Sequence, residues 1–156
     1  MPRMLKNLSI VLASLATFVV ASLVALLWFA PGSSADEVAR SPSPTGDIEA
    51  VLVETNGGVT TSFGYEISLV SRGSKKPGTP IARLYGATRS DSAYGANLRW
   101  QSASDLSIEF KQAKLSKLEQ PSITVSGHTV RVLLKPGITD SMAPPGGMLY
   151  NLRGRK

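Results

Sequence analysis

One histidine and a pair of glutamates are the residues of this chain that best fit acid–base chemistry. His128 is the only histidine, so a multi-histidine metal site is excluded and a Ser-His-Asp triad would depend on this side chain. It follows Gly127 in a predicted hairpin turn, where a general base lacks an enclosing pocket. The sequence therefore predicts a solvated turn residue and not a catalytic base.

Glu54 and Glu66 flank one loop and offer a second route to catalysis. Two carboxylates about 5 to 9 Å apart in a cleft can hydrolyse a glycosidic bond. A domain of this size seldom builds a deep sugar cleft, so solvated acids at strand ends are favoured over a catalytic pair. Because the chain has no cysteine, thiolate nucleophiles and cysteine-based metal sites are excluded. We predict no catalytic residue, no metal ligand and no cofactor.

The candidate binding residues lie in two polar stretches. The first, TNGGVTTS at residues 55–62, lacks the GK[ST] ending of a phosphate loop and reads as a turn, with Asn56, Thr60 and Thr61 as its binding side chains. In the second stretch, Tyr94 and Arg99 are candidates for a platform that stacks a sugar or a base. Period-two alternation places Trp100 on the face opposite Arg99, which favours Trp100 in the core and Arg99 in solvent.

The net charge of +6 is concentrated at the two ends of the chain. Arg3 and Lys6 precede an apolar segment, and Arg153, Arg155 and Lys156 end the chain. Since the residues between are almost neutral, no folded basic surface for nucleic acid is expected. The basic end is instead a candidate tether to acidic lipids or partners.

Residues 8–30 are apolar apart from three serines and a threonine, and residues 7–35 contain no ionisable side chain. As a helix, residues 8–30 would measure about 34 Å, enough to span a hydrocarbon core of about 30 Å. The preceding positive charges favour a single-pass inner-membrane protein with its N-terminus inside. Ser33 and Ala35 are also spaced like a signal-peptide cleavage site, in which case the protein is secreted.

Composition divides the chain into four parts. Residues 1–34 are the predicted transmembrane anchor or uncleaved signal, and residues 35–46 are a Ser/Pro-rich linker. Residues 47–136 form the predicted β-rich extracytoplasmic domain, and residues 137–156 form a flexible basic tail. Within the third part, period-two alternation predicts seven short strands, at residues 48–54, 63–69, 81–88, 97–101, 106–111, 123–125 and 130–134.

These strands define a mainly β fold. An N-terminal transmembrane helix is expected to precede a small antiparallel meander that forms a sandwich or an open barrel. Residues 113–120 are expected to form one helical turn, and Ser126-Gly127 a tight hairpin turn. With no helices alternating with the strands, a doubly wound nucleotide-binding sheet is not expected.

Four short segments carry a resemblance to a known family. ETNGGVTTSFGY, LYGATR, NLRW and DLSIEF, all within residues 47–111, resemble a family of small uncharacterised bacterial proteins, often exported or membrane-anchored. The resemblance implies compartment and β structure, and no activity.

Location and composition together predict a membrane-anchored extracytoplasmic module of the cell envelope with a binding or structural role. Its expected partners are the membrane, through the N-terminal helix, and an envelope protein. The alternative is a small envelope hydrolase acting on wall or sugar substrates. The first function is favoured because no acid, base and nucleophile converge in the sequence.

Overall fold

A computed structural model describes residues 2–29, 33–58, 61–90 and 93–139. Helix α1 (Pro2–Phe29) contains no glycine, and its only proline is at the first position, where helices accept it. The chain divides into one unit that ends at Gly32 and a second that begins at Ser33. Among the residues described, no helix is both long enough and apolar enough to cross a membrane, so the predicted transmembrane anchor is not supported.

The second unit is built of β-strands. Within the described residues the strands are β1 (Ser34–Pro42), β2 (Ile48–Asn56), β3 (Gly64–Ser71), β4 (Ala82–Tyr85), β5 (Arg89–Ser90), β6 (Ala93–Tyr94), β7 (Asn97–Ser102), β8 (Asp105–Phe110), β9 (Leu115–Leu118), β10 (Ser122–Val125) and β11 (His128–Pro136). The first sheet has the order β1-β2-β3-β4-β9, the second β10-β11-β8-β7, and β5 pairs with β6.

One hydrophobic core is shared by the first and second sheets. Strand β3 alternates as predicted, and its Tyr65, Ile67 and Leu69 are buried together with Leu106 and Val132 of the second sheet. Apolar side chains from both sheets therefore lie together in this core. The mainly β fold is confirmed, and every strand pair within the described residues except β8–β11 is antiparallel.

Strand β2 is apolar on both faces, as its sequence predicted. Val51 and Val53 lie on the face away from the core, where they cluster with Val70 of β3. The polar loop after β3 covers this cluster, because the Gly78 amide donates to the Ser68 hydroxyl at 3.1 Å. A Cβ atom on Gly78 would lie 3.1 Å from the carbonyl oxygen of Leu69, a tight contact that would require this neighbour to shift slightly.

Two segments form strands where the sequence predicted something else. Residues 35–46 were expected to be a spacer, but β1 occupies Ser34–Pro42 and pairs with β2 around a bulge. Val38 and Ala39, each 1% exposed, provide apolar burial that the surrounding Ser, Pro and charge conceal. The predicted helical turn was also wrong, because Leu115–Leu118 pairs with β4 as edge strand β9.

Strands β8 and β11 pair in parallel, a departure from the predicted meander. After β8 the chain crosses to the first sheet to form β9, then returns through the hairpin of β10 and β11. A parallel pair requires a crossover of this kind. The hairpin itself turns at Ser126-Gly127 as predicted, with φ values of 51° and 78° that suit a type I′ turn.

Candidate binding site

A cavity of about 440 Å³ opens beside the turn that follows β2. We call it the Tyr85 cavity; its described lining residues are Ser33, Ser34, Ala35, Thr55, Asn56, Gly57, Thr61, Ser62, Gly64 and Tyr85. Its size falls in the range of about 300–1,000 Å³ that is usual for small-ligand sites. Of the five predicted binding residues, Asn56 and Thr61 line it, while Thr60 lies outside the described residues.

Local hydrogen bonds shape the turn at the mouth of this cavity. The Gly58 amide donates to Asn56 Oδ1 at 3.0 Å, and the Thr61 hydroxyl donates to the Gly58 carbonyl at 3.0 Å. Gly58 has a φ of 106°, a conformation that L side chains rarely adopt. The Asn-Gly-Gly sequence therefore specifies this turn, as the sequence predicted.

Tyr85 is the aromatic side chain of the cavity and was not singled out from the sequence. It ends β4 with a relative exposure of 40%, and its phenol oxygen accepts a hydrogen bond from the Ser62 amide at 3.1 Å. The Lys114 ammonium donates to the Ser62 hydroxyl at 2.8 Å. The hydrogen bonds from Ser62, together with the positive charge of Lys114, lower the pKa of the Tyr85 phenol. The sequence signal that could have identified Tyr85 was an aromatic residue at an outward-facing position of a strand.

A smaller cavity of about 220 Å³ adjoins the first and shares Thr55, Gly64 and Tyr85 with it. Its other walls include the exposed Leu115 and the charged side chains of Arg83 and Lys117. Gly64 keeps the shared wall open, because a Cβ atom there would lie 2.5 Å from the Thr55 hydroxyl oxygen. We treat the two adjoining cavities as one groove, since Thr55, Gly64 and Tyr85 line both.

A buried ionic cluster fixes both strands that lead into the turn. Glu54 is 2% exposed, accepts a hydrogen bond from the Tyr65 phenol at 2.7 Å, and receives Arg89 Nη1 at 2.7 and 2.8 Å. The Arg89 guanidinium also lies 4.6 Å from the centre of the Phe63 ring. Burial and the neighbouring Glu54 carboxylate raise the pKa of Tyr65. The cluster thus anchors the chain just before Thr55 and just after Ser62.

Glu54 and Glu66 do not form the carboxylate pair that a glycosidase requires. In the β2–β3 pairing, Glu54 lies opposite Tyr65 and Glu66 lies opposite Val53. Adjacent positions on a strand point to opposite faces, so the two carboxylates lie on opposite sides of the sheet. Glu54 is buried on the core side, and Glu66 instead pairs with Arg83 at 3.0 Å in solvent.

His128 is a solvated residue, as predicted. Its side chain is 55% exposed, and Nε2 lies 3.5 Å from the Asp47 carboxylate, which is 53% exposed. A general base needs a fixed orientation and exclusion of water, and this pair has neither a buried wall nor a short hydrogen bond. Across the described residues, no group of three or more His, Cys, Asp and Glu side chains is placed to hold a metal ion.

Arg99, another of the predicted site residues, is not among the described residues that line the Tyr85 cavity. Arg99 lies on β7 with its side chain 64% exposed, 3.5 Å from the Glu109 carboxylate. Trp100 faces the core and donates its indole N–H to the Ser41 carbonyl at 3.1 Å, so it does not stack beside Arg99. Tyr94 belongs to β6, but its side chain lies outside the described part.

The fold and cavity define a small β protein with a ligand-sized groove on its first sheet. No protein family matches the chain, and neither the curated proteins nor the solved structures compared with it show a significant similarity. The family resemblance of the four short segments therefore stays a prediction.

Proposed function

We propose that this protein is an extracytoplasmic binding module of the cell envelope and that the Tyr85 cavity is its binding surface. The observation that carries this proposal is the convergence on one cavity of an exposed aromatic ring and the two predicted residues Asn56 and Thr61. Convergent polar groups around an aromatic side chain are the usual composition of a ligand site. The buried cluster behind the cavity supplies the rigid support that a binding site needs.

Export is supported by the order of features in the first part of the chain. Arg3 and Lys6 come first, an uncharged apolar segment follows, and the small residues Ser33 and Ala35 come after it. In α1 the described apolar side chains are exposed, including Phe18 at 71%. A retained anchor and a cleaved leader share this order, and both place the β-rich domain outside the cytoplasm.

A protease-accessibility experiment tests export. The chain carries an epitope after Lys156, and spheroplasts of a bacterial host are treated with an external protease. We expect the epitope to be lost without detergent, and the size of the untreated product to show whether the leader is retained. Protection of the epitope until the membrane is dissolved would disprove export.

Binding at the Tyr85 cavity is tested by crosslinking in cells. A photoreactive amino acid replaces Thr61 in the full chain, with the same group at the exposed Arg99 as the matched control. We expect a reproducible adduct with envelope material from position 61 that the substitution Tyr85→Ala removes. An adduct that is equal at both positions, or that persists in Tyr85→Ala, would contradict the proposed site.

An enzyme that uses Glu54 and Glu66 is the weaker candidate, because the two carboxylates lie on opposite faces of the sheet. A binding module requires no such pair of carboxylates. Binding is therefore the function that the geometry supports better than catalysis.

A further inference from the structure

The described side chains that line the Tyr85 cavity are all uncharged. Hydroxyls come from Ser34, Thr55, Thr61 and Ser62 as well as Tyr85, and Asn56 supplies an amide. A phosphate or carboxylate ligand is normally met by Arg or Lys within the site. The Lys114 ammonium lies beside the wall and donates to the Ser62 hydroxyl, but Lys114 is not among the described lining residues.

The hydrogen bonds within the wall determine which groups stay available to a ligand. Asn56 uses its carbonyl oxygen for the Gly58 amide, which leaves its NH₂ group as a donor. Thr61 gives its hydroxyl proton to the Gly58 carbonyl and so offers an acceptor. Tyr85 accepts from the Ser62 amide and keeps its phenol proton to donate. The wall therefore presents separate donors and acceptors, which suits ligand hydroxyls that do both.

From these observations we infer that the Tyr85 cavity binds an uncharged saccharide unit of a glycan chain. This inference rests on the proposed binding function and specifies its ligand. A pyranose ring has hydroxyls at its edge and an apolar C–H face, which packs on an exposed aromatic ring. Because the Ser62 amide already holds the Tyr85 phenol in place, little side-chain entropy is lost on binding.

The adjoining cavity of about 220 Å³ extends the same site beyond one sugar. It shares the lining residues Thr55, Gly64 and Tyr85 with the first cavity. Its wall adds the charged side chains of Glu66, Arg83 and Lys117. A linear glycan fits this groove with one uncharged unit in the Tyr85 cavity and the next unit beside the charged groups.

Calorimetric titration of the full chain tests the ligand class, in a detergent without a sugar headgroup so that micelles do not compete. The probes are four neutral tetrasaccharides, of N-acetylglucosamine, β-glucose, α-glucose and mannose, and one acidic tetrasaccharide of galacturonic acid. We expect at least one neutral tetrasaccharide to bind with a Kd of about 1 mM or tighter. Tyr85→Ala should weaken that binding at least about tenfold.

Two further variants separate loss of the site from loss of the fold. Tyr85→Phe retains the ring but loses the phenol donor, and Asn56→Ala loses an amide donor; each should bind several-fold more weakly than the unmodified chain and be affected less than Tyr85→Ala. Arg99→Ala, on the second sheet, is the matched control and should bind normally. Thermal melts of each variant show whether the fold persists.

The outcomes distinguish this inference from the function on which it rests. No heat from any neutral tetrasaccharide at about 10 mM, combined with a Tyr85-dependent crosslink in cells, would overturn the saccharide ligand and leave the binding module intact. Preferential binding of the acidic tetrasaccharide that weakens steeply with added salt would overturn it in favour of an anionic ligand recognised by Lys114. Loss of both the crosslink and the heat would overturn both proposals.

Discussion

Two ionic clusters lie on the same pair of strands, one buried and one in solvent. On the core side of β2 and β3, the side chain of Glu54 is 2% exposed and that of its partner Arg89 is 17% exposed. On the outer side, the side chain of Glu66 is 39% exposed and pairs with Arg83, at 47%. Similar Arg–carboxylate contacts thus face opposite environments, and only the buried contact leaves an unsolvated charge when it is broken.

The largest effect is expected from Glu54→Ala. This change removes the carboxylate that pairs with the Arg89 guanidinium. It also removes the acceptor of the hydrogen bond from the Tyr65 phenol. We expect a loss of about 3–5 kcal/mol in the free energy of unfolding, measured by urea denaturation. The double variant Glu54→Gln with Arg89→Met sharpens the comparison, because it removes both charges and should recover part of the loss. A loss below about 1 kcal/mol for Glu54→Ala would mean that the cluster is hydrated.

Tyr65→Phe tests one arm of the same cluster. The variant keeps the buried ring but removes the 2.7 Å hydrogen bond to the Glu54 carboxylate. Since hydrogen bonds to charged groups contribute about 1.5–3 kcal/mol, we expect a loss in that range from urea denaturation. Tyr85→Phe is the matched control on an exposed tyrosine and should change stability by less than about 1 kcal/mol. Equal losses for the two variants would break the distinction between buried and exposed positions.

A third ion pair, between Arg40 and Glu49, gives the comparison a pH-dependent test. Burial raises the pKa of Glu49, but hydrogen bonds from Arg40 and from the Gly73 amide outweigh it, so the pKa lies below the ordinary value of 4.5. Stability from this pair is therefore complete above pH 4.5 and is lost as the pH falls through the folded-state pKa. We expect the urea midpoint to fall on acidification, and less so in Arg40→Gln. An identical fall in both proteins would assign the acid sensitivity to other carboxylates.

The smallest effect is expected from Glu66→Ala. Both partners of this ion pair are well hydrated, so its removal should cost less than about 1 kcal/mol. Raising the salt concentration should reduce even that difference. Urea denaturation of Glu66→Ala and Glu54→Ala under the same conditions compares their free energies of unfolding. An equal loss in both variants would show that burial does not make the Glu54 cluster more important for stability than the Glu66 pair.

Alternation along single strands was readable from the sequence, and contacts between distant strands were not. The apolar side chains of β3 and both faces of β2 were predicted because period-two spacing is a local property. The pairing of Arg89 with Glu54 joins residues 35 apart in the chain, and no local pattern indicates it. The opposite placement of Glu54 and Glu66 likewise depends on the register between β2 and β3.

The residues of the candidate site show the same difference between local patterns and distant contacts. Asn56 and Thr61 were predicted because turn residues with polar side chains are recognisable in sequence. Tyr85 was missed because its role depends on how β4 meets the turn, through the hydrogen bond from the Ser62 amide. Strand β1 was missed because its two buried apolar side chains, Val38 and Ala39, are adjacent in sequence and so show no period-two repeat. The ion pairs of Arg40 with Glu37 and Glu49 leave no local pattern either.

Under the proposed export and binding, the start of β1 would link protein maturation to ligand affinity. Ser33, Ser34 and Ala35 wall the Tyr85 cavity, and Ser34 and Ala35 pair with Asn56 and Thr55. A signal peptidase that cut after Ala35 would remove these three residues and leave one side of the groove open. The uncleaved chain would then bind its ligand more tightly than the cleaved product. One cleavage would thus release the domain from its leader and lower its affinity for the ligand.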